Sequence, residues 1–303
     1  MSTILIAGGS GLIGQRLSAM LTEKGYRVTH LSRNAKADAK YKRYLWDVKK
    51  QTIDDEAILE ADYIINLAGA GIVGAPWTKA RKKLIIDSRV ESTNLLLSSL
   101  KRLNKKPKAY LSSSAIGYYG DTGETLVDET TGPGEGFLSE SCMAWEAAAL
   151  QAKAQGLRTV IIRTGIVLST QGGALEKMLI SFNFFTGTYF GDGQQWYSWI
   201  HIDDICGMYI KAIEHDNMDG IYNGVAPKQV RNKELIVQIG KTMDKPVINM
   251  PVPRLVLRLT MGEMADTILF SNKVSAEKVC SAGFEFRFPA LDAALGDILS
   301  RKV

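Results

Sequence analysis

Cysteine is scarce. Only Cys142, Cys206 and Cys280 occur, far apart and in no C-x-x-C pair, so a disulfide framework or a thiolate metal site is not what holds the chain together, and a reducing compartment is expected. Long apolar runs are absent as well. Only four apolar residues, Ile4 to Ala7, precede the first glycines, too few for the core of a secretory signal. The most apolar stretch, Tyr63 to Pro76, is broken by Asn66 and glycines and falls short of the ~20 residues that span a bilayer. A cytoplasmic protein with no membrane partner is expected. Internal repeats and low-complexity tracts are also missing.

What remains is ordinary globular composition: 303 residues, 46% apolar and 23% charged. One large domain, or a main domain with a small appendage, follows from that length, and such a chain buries roughly 75% of its unfolded surface without help from metals or disulfides. The net charge is +5, unevenly spread: 20 basic residues face 10 acidic ones in 1–110, which leaves 17 against 22 in the rest. That asymmetry can attract an anionic partner. The basic clusters Lys79/Arg81/Lys82/Lys83 and Lys101/Arg102/Lys105/Lys106/Lys108 lie in or after helical segments and lack interleaved aromatics. They read as solvated helix faces, so no nucleic-acid partner is expected.

Through residue 165, short apolar runs alternate with longer amphipathic ones, the pattern of βαβ units on a parallel sheet. Strands are expected at Thr3–Ala7, Arg27–Ser32, Arg43–Trp46, Tyr63–Ala68, Ala109–Ser113 and Thr159–Thr164, and helices at Gly11–Lys24, Lys79–Lys101 and Ser139–Gln155. Gly25 and Gly156 stand where helix C-caps belong. The predicted fold class is α/β, a Rossmann-type doubly wound parallel sheet with a small, mainly helical C-terminal region on the substrate side. The expected boundaries are 1–245 for the dinucleotide domain, with substrate-side insertions in about 171–220, and 246–303 for the helical unit, the prolines at 246, 251 and 253 reading as a linker.

The most informative motif is Gly8-Gly9-Ser10-Gly11-Leu12-Ile13-Gly14, directly after a strand and opening a helix. Gly8 permits a tight turn, Gly11 lets backbone approach a pyrophosphate, and Gly14 allows close helix packing. The helix N-terminus adds free N–H groups and partial positive charge for phosphates, so Ser10, Leu12 and Ile13 join the binding turn. At the end of the second strand, where NAD sites place a carboxylate on the ribose 2′-hydroxyl, the chain instead has Ser32-Arg33-Asn34. Arg33, helped by Ser32, suits a 2′-phosphate, and NADP(H) is therefore expected in preference to NAD(H). Asp47, after the next strand, is placed to accept from an adenine amino group or to be a solvated aspartate.

With that turn, Asn66-Leu67-Ala68-Gly69, Ser112-Ser113-Ser114-Ala115-Ile116-Gly117-Tyr118-Tyr119-Gly120 and Trp199-Ile200-His201-Ile202-Asp203-Asp204, residues 1–245 resemble extended short-chain dehydrogenase/reductases of the epimerase/dehydratase type. The final segment, with Met261-Gly262-Glu263-Met264-Ala265-Asp266 and Gly283-Phe284-Glu285-Phe286, is similar to the C-terminal domain of unknown function in an atypical "epimerase family" subgroup. The resemblance implies a cofactor lined by Leu67, Ala68, Gly69, Ser113 and Arg163, and an unidentified small-molecule substrate beside it.

The same resemblance implies a Ser or Thr, matched by Ser114, working with a Tyr-x-x-x-Lys in the following helix. Anchored on Glu146, those two positions fall at Leu138 and Cys142, and no Tyr-x-x-x-Lys lies near. Leucine cannot titrate and cysteine cannot replace a cation. Tyr118 and Tyr119, with Ser113 and Ser114, are the hydroxyls that could substitute or could simply shape the pocket. Cys142 reads as a packed helix residue, and His201 with Asp203 and Asp204 as a returning segment, with no metal expected. The aromatic-rich stretch from Met178 to Trp199 either lines an apolar pocket or is core. Two readings result: an NADP(H)-dependent oxidoreductase or epimerase-like enzyme with a relocated acid, or a catalytically weak dinucleotide sensor that reports to a protein partner.

Overall fold

The computed structural model describes residues 1–34 and 40–301. The run Thr3-Ile4-Leu5-Ile6-Ala7 forms β1 (Thr3–Ala7), buried at every position, because a central parallel strand is covered on both faces. There follow α1 (Leu12–Glu23), β2 (Arg27–Ser32), β3 (Lys42–Asp47), β4 (Thr52–Ile53), α2 (Asp55–Glu60), β5 (Tyr63–Asn66), α3 (Lys79–Arg102) and β6 (Ala109–Ala115). A 3-10 turn at Ile116–Tyr119 leads to β7 (Leu126–Val127), α4 (Phe137–Ala154), β8 (Thr159–Thr164), β9 (Ile166–Leu168) and α5 (Gly173–Phe182). The short pieces β4 and α2 were not foreseen. Asp54 begins α2 by accepting from the Glu56 amide at 3.1 Å.

The second half continues with β10 (Thr186–Phe190), β11 (Trp196–Tyr197), β12 (Trp199–His201), α6 (Ile202–Glu214), β13 (Gly220–Gly224), β14 (Val230–Arg231), α7 (Asn232–Thr242) and β15 (Ile248–Val252). Last come α8 (Arg254–Met261), α9 (Asp266–Leu269), β16 (Lys273–Val274), α10 (Glu277–Ser281) and α11 (Leu291–Ser300). The main sheet runs β13-β8-β6-β5-β1-β2-β3-β4. All its pairs are parallel except β3 with β4. The chain winds outward from β1 to β2 on one side and to β5 on the other. That reversal opens a crevice at the carboxyl edge of the strands.

Alternation along β1 sends its side chains to opposite layers. Ile4 and Ile6 join Leu17 and Leu21 of α1 and Ile205, Tyr209 and Ile213 of α6. Leu5 and Ala7 join Leu96 and Leu100 of α3 and Ala149 and Ala152 of α4. The chain is thus the α/β, doubly wound parallel sheet that the alternation predicts.

The proline-containing stretch after 245 is not the linker expected. It forms β15, which pairs in parallel with β10 from Thr186↔Ile248 to Phe190↔Val252. Pro251 is accommodated because β15 is an edge strand with a single neighbour. Farther on, β16 pairs with β7, and Ala294, Leu295 and Ile298 of α11 share a core with Leu235, Ile236 and Ile239 of α7. Two strand pairings and a shared core therefore tie the final segment to the chain before it.

Candidate functional site

Three glycines of the first turn differ in what surrounds them. Gly8 has φ +83°, and a Cβ there would lie 2.7 Å from the Leu67 carbonyl carbon. A Cβ on Gly14 would lie 2.4 Å from the Gly8 oxygen, and one on Gly9 2.5 Å from the His30 ring. These positions are closed from within. Gly11 is different: its φ of −77° suits any residue, and the one atom a Cβ would approach is the Gly8 oxygen at 3.3 Å. It is exposed, and it begins α1 with no side-chain cap and no acid in the first turn. The amides of Leu12 and Ile13 therefore open α1 at its electropositive end, a cradle that suits a phosphate. The α5 N-terminus, capped only by Gly172, also abuts this turn: Cβ atoms on Gly172 and Gly173 would lie 3.6 and 3.3 Å from Leu12.

Arg33 is exposed immediately beyond β2. Ser32 is half-buried and makes a local turn, its hydroxyl donating to the Asn34 carbonyl at 2.8 Å. Ser10 is exposed, and its carbonyl accepts from Gln15 Nε2 at 2.7 Å. Asp47 Oδ1 accepts from the amides of Lys49 and Lys50 at 3.0 and 3.1 Å, which fixes the turn between β3 and β4. Asn66 shapes the neighbouring loop: its Oδ1 accepts from the Ala68 amide at 3.1 Å, while its Nδ2 donates to Thr93 and Tyr110. Leu67 and Ala68 are half-buried against the Gly8 turn, and Gly69 is exposed.

Beneath this rim lies a buried polar chain that spans β6, α4, β8 and β13. The Ser114 hydroxyl donates to Glu146 Oε1 at 2.6 Å. Arg163 grips both Glu146 oxygens, Nε and Nη2 each at 2.8 Å, and its Nη1 donates to the Tyr119 oxygen at 2.9 Å. The Tyr119 hydroxyl donates in turn to Asn223 Oδ1 at 2.8 Å. Burial opposes the Arg163 charge, yet the bonds from Glu146 outweigh it and hold the guanidinium above its ordinary value. Burial pushes the Tyr119 phenol up to about 12 against the pull of Arg163.

This geometry revises several expectations. Arg163, expected beside the cofactor, is 2% exposed with all three donor nitrogens engaged inside the protein. It braces the sheet edge instead. Ser114 and Tyr119 are 2% and 4% exposed and committed to the same chain. Ser113 sits at the opposite face of β6, 3.5 Å from the Thr164 hydroxyl. Tyr118 is half-buried, and its ring lies on the Arg163 guanidinium, 3.5 Å from the ring centre. Its phenol makes no hydrogen bond among the described residues.

Leu138 and Cys142 face the 3-10 turn: a Cβ on Gly117 would lie 3.2 Å from Leu138 Cβ and 3.8 Å from Cys142 Sγ. Burial, with the Glu146 charge, pushes the Cys142 thiol up to about 11, so it is a packed thiol and not a thiolate. The aromatic stretch divides. Phe182 and Trp199 are core, whereas Phe184 and Phe185 are exposed. His201 is a buried core residue, stacked on Phe288 at 3.9 Å and bonded to Asp297 at 3.1 Å. Two buried groups at the site had no sequence signal. His30 lies under Gly9 with its Nε2 2.8 Å from the Ser18 hydroxyl, and burial pulls its titration down to about 4. Arg89, on α3, lies behind Gly69.

Comparison with known proteins agrees with this layout. The sequence model described as the NAD dependent epimerase/dehydratase family matches residues 4–223, and a domain of unknown function (DUF1731) matches 252–298. An epimerase family protein of Staphylococcus epidermidis is 35% identical over 301 residues, covering 99% of both chains. The epimerase family protein YfhF of Bacillus subtilis is 33% identical over 299 residues, covering 98% of each. Among solved structures, the human epimerase family protein SDR39U1 (isoform 2), crystallised with NADPH, is 30% identical with a TM-score of 0.88 over 99% of this chain and all of that one. The UDP-glucuronic acid 4-epimerase of Bacillus cereus, solved with UDP-glucuronic acid and NAD, shares the fold at 18% identity and a TM-score of 0.79, over 98% of this chain and 97% of that one.

Proposed function

This chain belongs to the NAD dependent epimerase/dehydratase family, and from that premise we propose that it binds NADP(H) and uses it in slow oxidoreductase or epimerase-like chemistry on a small molecule. The observation that carries the reading is the open, uncapped Gly11 end of α1 with exposed Arg33 at the tip of β2, where Ser32-Arg33-Asn34 stands in place of the acid of NAD sites. The turn fits a pyrophosphate, since Gly8 and Gly14 are filled by the protein's own atoms while Gly11 is left clear on the outside. Arg33 would take the 2′-phosphate, a group that the acid of NAD sites would repel. The human relative crystallised with NADPH agrees in direction.

When bound, the dinucleotide supplies or accepts a hydride. The chain's own task is then to orient the nicotinamide end and to hold a proton near the reacting oxygen. Of the hydroxyls named at that edge, the Tyr118 phenol is the one without a hydrogen bond among the described residues, and its ring is held on the Arg163 guanidinium. Ser114 and Tyr119 hold the wall in place. The alternative, a catalytically weak sensor of the NADP(H) state, draws support from the same network, because it consumes two of the expected hydroxyls. The first test is calorimetry with both reduced cofactors. NADPH should bind at least about tenfold tighter than NADH, roughly 1.4 kcal/mol, and Arg33→Asp should erase the difference. Equal dissociation constants in the native protein would refute the assignment.

A further inference from the structure

Arg89 is a buried cation that no acid balances among the described residues. It is 7% exposed on α3, and its Nη1 donates to the carbonyls of Ala70 at 3.0 Å and Ile85 at 2.8 Å. No carboxylate lies within ion-pair distance among the described residues, and Nε and Nη2 make no hydrogen bond there. Buried Arg163 is treated differently, being paired with Glu146, and even the half-buried Arg16 and Arg301 share Asp203. Burying a guanidinium without a counter-charge is costly enough that proteins normally supply one. Here burial does pull Arg89 below its ordinary value, with Arg81 adding to the effect.

The surroundings give the missing partner a place. The Arg89 guanidinium lies 4.9 Å from the Trp145 ring on α4, and Trp145 Nε1 is itself a buried donor without an acceptor. On the outer side stands Gly69, exposed on the loop after β5 at the carboxyl edge of the sheet. A Cβ at Gly69 would come within 3.0 Å of Arg89 Cζ and 3.3 Å of Nε. The backbone there does not need glycine, because Gly69 has no positive φ. The missing side chain lets the loop lie directly on the guanidinium. No side chain of Gly69 covers the Arg89 head group, and its Nε/Nη2 edge, unbonded among the described residues, carries two parallel donors that match the two oxygens of a planar carboxylate.

We propose that Arg89, with its unbonded Nε/Nη2 edge beside Gly69, is a carboxylate-binding group of the substrate pocket, so that the small molecule handled here carries a carboxylate. The proposal deepens the cofactor-dependent reading above and rests on it for the word substrate, but the anion site itself is testable without cofactor. The probes are acetate and inorganic phosphate, followed on the full chain by saturation-transfer NMR of the acetate methyl and by phosphorus line broadening, with and without NADP+. Native protein should bind acetate more tightly than phosphate, and Arg89→Met should weaken acetate at least tenfold while the NADPH affinity stays within twofold. Arg89→Lys, which keeps the charge and loses the fork, should fall between. If Arg89→Met does not fold, Gly69→Val reads the same site by pressing a side chain on the Arg89 guanidinium, and acetate binding should again be lost.

Acetate affinity unchanged in Arg89→Met, or in Gly69→Val, overturns the proposal. So does tighter binding of phosphate than acetate, which would make the site one for phosphoryl groups. A fall in NADPH affinity with acetate unaffected would place Arg89 on the cofactor instead. Failure of native protein to bind NADPH, with Arg89-dependent acetate binding intact, would defeat the cofactor reading and leave the anion site standing.

Discussion

Replacing Glu146 by Gln changes almost no volume and removes one charge from the chain Ser114–Glu146–Arg163–Tyr119. Arg163 is 2% exposed, so its guanidinium would be left without a counter-ion in a place water cannot reach. Removing one partner of a buried pair typically costs about 3–5 kcal/mol. The Gln oxygen still accepts from one of the two Arg163 donors or from Ser114, so a loss of about 3 kcal/mol is expected, a large part of the ~5–15 kcal/mol total for a folded chain. In Glu146→Leu combined with Arg163→Met neither charge remains buried alone. The double variant should be less destabilised than the sum of its singles by at least about 2 kcal/mol. Urea unfolding with a shared m-value measures both quantities. If Glu146→Gln lies within about 1 kcal/mol of native, or the double variant equals the sum, then this network does not brace the sheet edge. Ser114 and Tyr119 would then return as free catalytic candidates.

Stability should also depend on acidity in a defined window. Burial lowers His30 and His201 from their ordinary values to about 4 in the folded protein, so between about pH 6.5 and 4 the unfolded chain binds protons that the folded one refuses, and stability falls as pH falls. Each contributes at most about 1.4 kcal/mol per pH unit; unfolding free energies equal at about pH 7.5 and 5 would contradict this. Asp203, held well below the carboxylate range because Arg16 and Arg301 outweigh its burial, adds stability that is lost only below about pH 4. The two tyrosines should separate: Tyr119→Phe orphans Asn223 Oδ1 and Arg163 Nη1 and should cost about 1–3 kcal/mol, whereas Tyr118→Phe should leave the melting temperature alone and lower any turnover in a carbonyl panel with NADPH. Fast native turnover, or activity indifferent to Tyr118→Phe, would refute the role given to that phenol.

What the sequence made legible is local. The strand, glycine turn and helix at the N-terminus can be read from adjacent residues, because the proposed phosphate cradle is built within one βα unit. The C-caps at Gly25 and Gly156 are local in the same sense, with φ of +84° and +76°. The segment at 248–252 was misread because proline is a turn signal until an edge strand gives it a neighbour, here β10, some sixty residues earlier. The resemblance implies a cofactor role for Arg163, and its pairing with Glu146 is invisible in the sequence because that partner sits on another element. Arg89 was hidden for a similar reason: in a helix rich in lysine and arginine, one charge on the inner face is indistinguishable from the solvated ones until α4 packs over it.

The most direct test of the central claim is the titration of NADPH into Gly11→Val. The backbone at Gly11 tolerates a side chain, and a Cβ there meets only the Gly8 oxygen at 3.3 Å. The variant should therefore keep the native circular dichroism spectrum and unfold near the native temperature, while NADPH binding, present in the native protein, becomes undetectable. A folded Gly11→Val chain that binds NADPH with native affinity would contradict the placement of a dinucleotide on this turn.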